Sequence, residues 1–354
     1  MTTYDIAIIG AGASGLMLAS QLQDKNVCLI DKNSDIGAKI KISGGAKCNI
    51  TNKYLSSDKF LGNEEFIDEV FNSFNNKDLL NFLNKNGVYP NLNEKIVKGT
   101  YFCNSSLDVI DMFRKLTKKT KLYLETIVNE VTYNNNYYEI QTNNNTIRAK
   151  KLVLASGGLS YASIGATDIG FKIASSFGHN IIIPKPALVG FTVQKDQFWF
   201  KDLSGLSVDV SIKINDKKID GMMLFTHKGC SGPAILSTSL YWKKGQFSID
   251  FAPTKDSYLP KRFKKAIKDM NMDIHNYSMA PAGNFGYTKA EVTSGGVDID
   301  EVDVKSMESK LQKDLYFLGE VLDVTGELGG YNFQWAFSTA QKMANFIKIS
   351  YNQP

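Results

Sequence analysis

The sequence predicts an α/β protein built on a parallel sheet, with a β-rich module inserted into it, and three features of the 354 residues carry that prediction. The apolar run at residues 6–9 passes straight into Gly10, Gly12 and Gly15 at G-x-G-x-x-G spacing, and Leu16, Met17, Leu18, Ala19 and Leu22 continue as a helix. Two further apolar runs, at 152–154 and 315–318, also close on glycine. Between 188 and 251 the texture changes to short strands.

In the first βαβ pattern each glycine has its own reason. The first permits the tight turn, the second lets backbone approach a pyrophosphate, and the third lets helix pack closely on strand. The free amides at the helix start, with the macrodipole, make an anion site, to which Ala13 and Ser14 present their amides and Ser14 its hydroxyl. A second strand, residues 27–30, ends in Asp31, 21 residues past Gly10, where an acid meets a ribose hydroxyl pair. These features point to an adenine dinucleotide, FAD or NAD, with Lys32 placed to flank the adenosine.

A polar, glycine-containing loop is expected over 37–52. A helical section follows, in which Phe66, Val70, Phe71, Phe74, Leu79, Leu80, Phe82 and Leu83 keep helical spacing until Gly87. Another amphipathic helix is expected over 109–116. Strands at 122–124, 127–132, 137–141 and 146–148, with Asn-rich turns between them, lead to the buried strand at 151–154. Pro184 and Pro186 mark a boundary. Strands then dominate at 189–193, 207–214, 222–226 and 247–251, and a basic, partly helical stretch at 255–274 reads as a small cap. Residues 291–300 return to strand, and a helix over 334–348 ends the chain. The expected division is a discontinuous domain, 1–186 with 287–354, and an inserted substrate domain, 187–286.

Hydrophobic content of 43% and charged content of 22% are ordinary for a globular protein. The balance of 41 Lys/Arg against 36 Asp/Glu leaves +5, scattered over short clusters. Solvated helix faces account for this better than a nucleic-acid patch, so no nucleic-acid partner is expected. The four cysteines (28, 48, 103, 230) form no C-x-x-C and the three histidines lie far apart, so neither a disulfide framework nor a metal site is indicated. The N-terminus has no basic n-region, and no apolar run approaches the ~20 residues of a membrane helix. The expected setting is cytoplasmic, without a membrane, with a small-molecule substrate.

Three separated glycine-rich strand ends choose between FAD and NAD: residues 10–15, 156–158, and 319–320 with 329–330. In a doubly wound sheet these converge at the carboxyl ends of neighbouring strands. One long ligand suits them, with ADP on the first and ribityl and isoalloxazine on the last. No second G-x-G-x-x-G serves a separately held NAD, so NAD(P)H is expected only as a diffusible partner. The turn at 329–336 offers amides to the flavin pyrimidine edge, where negative charge builds on reduction.

Residues 43–52, SGGAKCNITN, resemble the SGGGRCN-x-TN signature of a bacterial flavoprotein family. Residues 224–236 (LFTHKGCSGPAIL) resemble its LFTH-x-G-x-SGPA-x-L segment, and residues 290–297 (AEVTSGGV) and 319–337 (GEVLDVTGELGGYNFQWAF) complete the match in order. The family is that of NAD(P)/FAD-dependent oxidoreductases similar to aminoacetone oxidase and bile-acid reductase. The resemblance implies a glutathione-reductase-type, Rossmann-like FAD domain made from both ends of the chain, with a β-rich domain inserted after about Pro186. Ala46 and Lys47 depart from the usual Gly and Arg, and the segment between Phe251 and Ala290 is short. Both departures bear on substrate rather than on FAD.

Cofactor contacts are therefore expected from Gly10, Gly12, Ala13, Ser14, Gly15, Asp31 and Lys32, and from Lys39, Ser43, Gly44, Gly45, Lys47, Cys48 and Asn49. Val128 is carried over from the superfamily as an adenine contact through backbone. Ala155, Ser156 and Gly157 line the second strand end, and Gly319, Glu320, Gly330, Asn332, Phe333 and Gln334 the third, with Glu320 holding the ribityl chain. Cys48 reads as a small buried hydrophobe rather than a redox thiol. His227 reads as a satisfied hydrogen-bonder, Ser231 as turn material, Tyr161 as structural and Trp335 as core. No residue is assigned as general acid or base. The reading is an FAD-dependent oxidoreductase moving hydride through flavin N5 to or from a small organic substrate. Its alternatives are an amine or aminoketone oxidase using dioxygen, and a flavin-containing RNA-modification or RNA-binding protein, motivated by the +5 charge and the Lys-rich stretch near Lys261.

Overall fold

Uninterrupted apolar residues make the central strands. In the computed structural model, which describes residues 2–94, 97–254, 258–268, 270 and 272–352, Ile6, Ala7, Ile8 and Leu29 are wholly buried. The chain opens with β1 (Thr3–Ile9), α1 (Ala13–Gln21), β2 (Val27–Ile30), α2 (Ala38–Ala46) and β3 (Asn49–Asn52). Helices α3 (Glu64–Ser73), α4 (Asn76–Lys85) and α5 (Ser106–Leu116) follow. Then come β4 (Lys121–Tyr123), β5 (Val128–Asn134), β6 (Tyr137–Thr142), β7 (Thr146–Leu154), α6 (Ile169–Ser176) and β8 (Ile181–Ala187). The next stretch holds α7 (Trp199–Asp202), β9 (Ser207–Ile214), β10 (Lys217–Thr226), β11 (Gly229–Ser231), α8 (Pro233–Tyr241), β12 (Phe247–Asp250), α9 (Lys261–Ile267) and β13 (Tyr277–Met279). β14 (Val292–Val297), β15 (Leu315–Phe317) and α10 (Tyr331–Asn352) complete the order.

The chain divides into two compact units. The first comprises Met1–Asn93, Gly99–Lys185 and Thr293–Pro354; the second comprises Glu94–Lys98 and Pro186–Val292. In the first unit, five strands in the order β15-β7-β1-β2-β4 pair in parallel, the arrangement of a Rossmann-like sheet. The hairpin β5–β6 joins this sheet antiparallel through β7. In the second unit, a seven-stranded antiparallel sheet runs β13-β12-β9-β10-β11, with Phe191–Thr192 and Gly283–Asn284 at its end. Pro233 opens α8 at its first turn, where its missing N–H costs nothing. Among the described residues, no helix is long and apolar enough to cross a membrane, and no group of acids, histidines and cysteines is placed to hold a metal.

Four expectations are refined. The helical section at 66–83 is two helices. The Asn75 side chain accepts the amides of Lys77 and Asp78 while Asp78 accepts the Asn75 amide, a capping box that starts α4 inside an unbroken apolar pattern. The strands at 146–148 and 151–154 are one strand, β7, whose first half pairs with β6 and whose later part pairs with β1. The expected loop at 37–52 contains α2, which bends out of helical geometry at Ser43, Gly44 and Gly45 before β3. Pro184 and Pro186, read as a boundary, lie within strand β8, and residues 255–257, 269 and 271 of the basic stretch lie outside the described residues.

Candidate cofactor site

The three glycine-rich strand ends belong to adjacent strands, β1, β7 and β15. The Ala155 amide donates to the Ile9 carbonyl, and the Leu318 amide to the Leu154 carbonyl, so Gly10, Ala155–Gly157 and Gly319 share one edge of the sheet. A Cβ on Gly10 would lie 2.3 Å from the Ala155 oxygen, and one on Gly15 would lie 2.0 Å from the Gly10 oxygen. Both glycines are thus demanded by the protein's own backbone. Gly12 is different: a Cβ there would meet nothing within 4 Å, so the space above it is open.

That difference is a test of whether an adenine dinucleotide fits, and the residues fit. α1 has no side-chain cap, no acid in its first turn and no charged residue along its length, so the first-turn amides of Ala13, Ser14 and Gly15 face the space above Gly12 with only the helix dipole to recruit a partner. The buried Ser156 Oγ has no hydrogen-bond partner. At the end of β2, Asp31 is fixed from two sides: the Ala11 amide donates to Oδ2 at 2.7 Å and the Asn33 amide to Oδ1 at 2.8 Å. The Asp31 carbonyl accepts the Thr126 amide, which ties the chain just before Val128 to the acid. Lys32 beside it is exposed.

Lys39, on α2, donates to Glu320 at 2.7 Å, and the Thr293 amide donates to the other Glu320 oxygen at 2.9 Å. Thr293 also accepts from the amides of Leu159 (2.8 Å) and Ser160 (3.1 Å), so its hydroxyl orders the turn that follows Gly157–Gly158. Thr293 is the residue the sequence reading missed; its only signal was membership of the AEVTSGGV segment. The bent end of α2 and the residues after it are left-handed at Gly44, Gly45, Ala46 and Cys48, and Tyr161 is left-handed too. Such non-glycine positions gather where a local shape is imposed by the surroundings. Asn49 packs under Gly44, and exposed Lys47 stands over the Phe102 ring at 5.6 Å. Gly330, at φ +92°, lets the start of α10 sit on β3: a Cβ would lie 2.5 Å from the Thr51 oxygen.

Several side chains of these segments make their contacts within the protein. Cys48 is fully buried, and burial pushes its thiol well above the usual range. Gln334 is fully buried against Thr51 Oγ1 and Ser338. The Asn332 amide clamps both the N–H and the carbonyl of Gly326. The Ser14 hydroxyl turns inward to the Leu318 carbonyl, leaving only its amide toward the open space. Phe333 stacks on Phe337, and Trp335 is core, donating to the Gly319 carbonyl. His227 is exposed just beyond β10.

The sheet is that of a Rossmann-type domain, and with the family and a reductase relative it gives the class, an FAD-dependent oxidoreductase. The model of the HI0933-like protein Rossmann domain matches residues 4–346, and the chain belongs to that family. It is 35% identical over 390 residues to the ribosomal RNA dihydrouridine synthase of Haemophilus influenzae, with 95% of this chain and 96% of the relative covered. It is 26% identical over 402 residues to the 3-dehydro-bile acid delta(4,6)-reductase of Clostridium scindens, covering 94% and 96%. Among solved structures, 3-ketosteroid-delta4-(5alpha)-dehydrogenase from Rhodococcus jostii shares the fold at a TM-score of 0.55 and 12% identity, covering 98% of this chain and 96% of that one.

Proposed function

We propose that this chain is an FAD-dependent reductase of a carbon–carbon double bond conjugated to a carbonyl, and that its substrate is the C5–C6 bond of uridine in ribosomal RNA. The observation that carries the reading is the 35% identity, along the full length of both chains, to an enzyme named for that reaction. The reading reverses the expectation that nucleic acid is no partner. In uracil, C6 is the β-carbon of the C4 carbonyl, so hydride addition at C6 and protonation at C5 give dihydrouridine. When bound, FAD supplies the hydride from N5, and NAD(P)H as the diffusible source of electrons is part of the proposal.

The chain's own residues hold and orient. The α1 amides and the open space at Gly12 accept the diphosphate, and Asp31 accepts the adenosine ribose hydroxyls. Lys39, Glu320 and Thr293 fix the third strand end, where a cation also favours a reduced, anionic isoalloxazine. The test is incubation of the purified holoenzyme with an unmodified ribosomal RNA transcript and NADH or NADPH without oxygen, followed by mass spectrometry of the nucleosides. The expected result is a uridine that gains two hydrogens. An enzyme that is reduced by nicotinamide yet leaves every uridine unchanged overturns the proposal. The Clostridium scindens relative favours a second reading, a conjugated enone or dienone of a small molecule; reoxidation of the reduced enzyme by a steroid dienone and not by RNA selects it.

A further inference from the structure

The chain's charge is divided unequally. The second unit carries 17 Lys/Arg against 11 Asp/Glu, whereas the first carries 24 against 25. The +5 excess therefore belongs wholly to the second unit. Helix α9 concentrates it: Lys261, Arg262, Lys264 and Lys265 are exposed and the helix contains no acid. Its Phe263 is fully buried among Trp199, Phe225 and Phe251, which fixes the basic face outward. Arg262 donates to the Ser204 carbonyl at 3.1 Å and to the Asp202 carbonyl, fastening α9 to the end of α7. On the same α7 segment, Lys201 stands 3.4 Å from the centroid of the Phe198 ring, which is 45% exposed.

A solvated helix face usually alternates charge signs, and like charges three and four residues apart repel. Among the described residues, Lys261, Lys264 and Lys265 have no acidic partner to relieve that repulsion. A polyanion relieves it, and an exposed ring beside a lysine is what an unpaired base stacks on. We propose that the face made by α9, α7 and Phe198 is a docking surface for single-stranded RNA, with Lys261, Lys264, Lys265 and Lys201 on phosphates and Phe198 under a base. This rests on the RNA reading above and assigns the binding to a surface of the second unit.

The experiment uses the full-length holoenzyme and a fluorescent single-stranded fragment of ribosomal RNA, with binding followed by anisotropy from about 50 to 200 mM salt. The test variant is K261Q/K264Q/K265Q, and K115Q/K118Q/K119Q removes the same charge from exposed lysines of the first unit. Losing three phosphate contacts lowers the slope of log affinity against log salt by about 2, so wild type loses roughly 20-fold more affinity than the α9 variant over that range. F198A is expected to weaken binding about 5- to 150-fold with little change in slope. Equal behaviour of the two lysine variants, with wild type binding RNA normally, overturns the surface and leaves the RNA reading standing. Wild type that binds no RNA even at the lowest salt overturns both. Tighter binding of wild type to phosphatidylserine vesicles than to RNA, lost in the α9 variant, replaces RNA by a membrane surface and overturns the proposal.

Discussion

Gly10 and Gly12 are two residues apart, yet alanine at each is expected to fail for opposite reasons. At Gly10 the φ of +112° is disfavoured for an L side chain, and the new methyl would sit 2.3 Å from the Ala155 oxygen, a backbone atom that cannot swing away. Overpacking plus the forced backbone makes G10A cost about 3 kcal/mol or more. Gly12 has φ −85° and ψ −164°, open to any residue, and nothing lies within 4 Å of the methyl. G12A is thus expected to leave the flavin-free protein as stable as wild type, or more stable by about 0.4–1 kcal/mol through the unfolded chain. What the methyl occupies is the space assigned to the diphosphate, and a clash of about 1–3 kcal/mol there weakens FAD about 5- to 150-fold. The assay is thermal melting of flavin-stripped proteins followed by FAD titration. Wild type gains melting temperature with FAD, by mass action; G12A starts level with it and gains less. A G12A protein that binds FAD like wild type refutes the placement of the diphosphate. A G12A apoprotein that melts as low as G10A refutes the claim that only a ligand requires this glycine.

Three further perturbations read other parts of the site. K39M removes a partly exposed ion pair, so its stability cost is at most about 1 kcal/mol; the expected change is a more negative flavin midpoint potential, read by redox titration, and an unchanged potential removes Lys39 from the flavin's surroundings. T293V leaves the amides of Leu159 and Ser160 without their acceptor and is expected to cost about 1–3 kcal/mol in urea unfolding, with T293S restoring it. Burial holds the His179 imidazole below its ordinary range, although Glu301 bonds to Nδ1 at 3.0 Å. The folded chain therefore favours neutral His179, so its contribution is complete above the ordinary value of about 6.5 and is lost as pH falls from there toward the lower folded value. H179Q should flatten the fall in melting temperature over that acidic interval, and an identical fall in the variant refutes this account.

The parallel sheet was legible because its signals are local: an apolar run, a glycine that the next strand's backbone requires, and Asp31 at the end of β2. The α3–α4 break was not, because the Asn75–Asp78 capping box lies inside a continuous apolar period and costs the pattern nothing. Side-chain direction was beyond reach as well. Asn332 and Gln334 sit in the expected segment, but the Asn332 amide is taken up by Gly326, six residues away across a turn, and that of Gln334 by Thr51, 283 residues away, and neither pairing is written in the local pattern. Thr293 was missed for the same reason, since its partners Leu159, Ser160, Glu320 and Thr325 come from other segments of the chain. The charge was averaged over the chain in the sequence reading. Only the division into units shows that acids and bases cancel in one and not in the other.

That separation of charge has a consequence for how two phosphate-bearing ligands coexist on one protein. FAD brings a diphosphate, and RNA brings many phosphates that compete for any exposed cation. On the reading developed above, the diphosphate is held by amides at the start of α1, a helix with no charged residue, so few counterions are released when FAD binds. The RNA surface relies on lysines, and its affinity falls steeply with salt. Raising salt from about 50 to 200 mM should therefore strip RNA while leaving the flavin in place, as followed by anisotropy for the first and by absorbance of the retained flavin for the second. Flavin lost in parallel with RNA would mean that exposed cations, such as Lys32 or Lys47, carry the diphosphate, and that the amides of α1 do not.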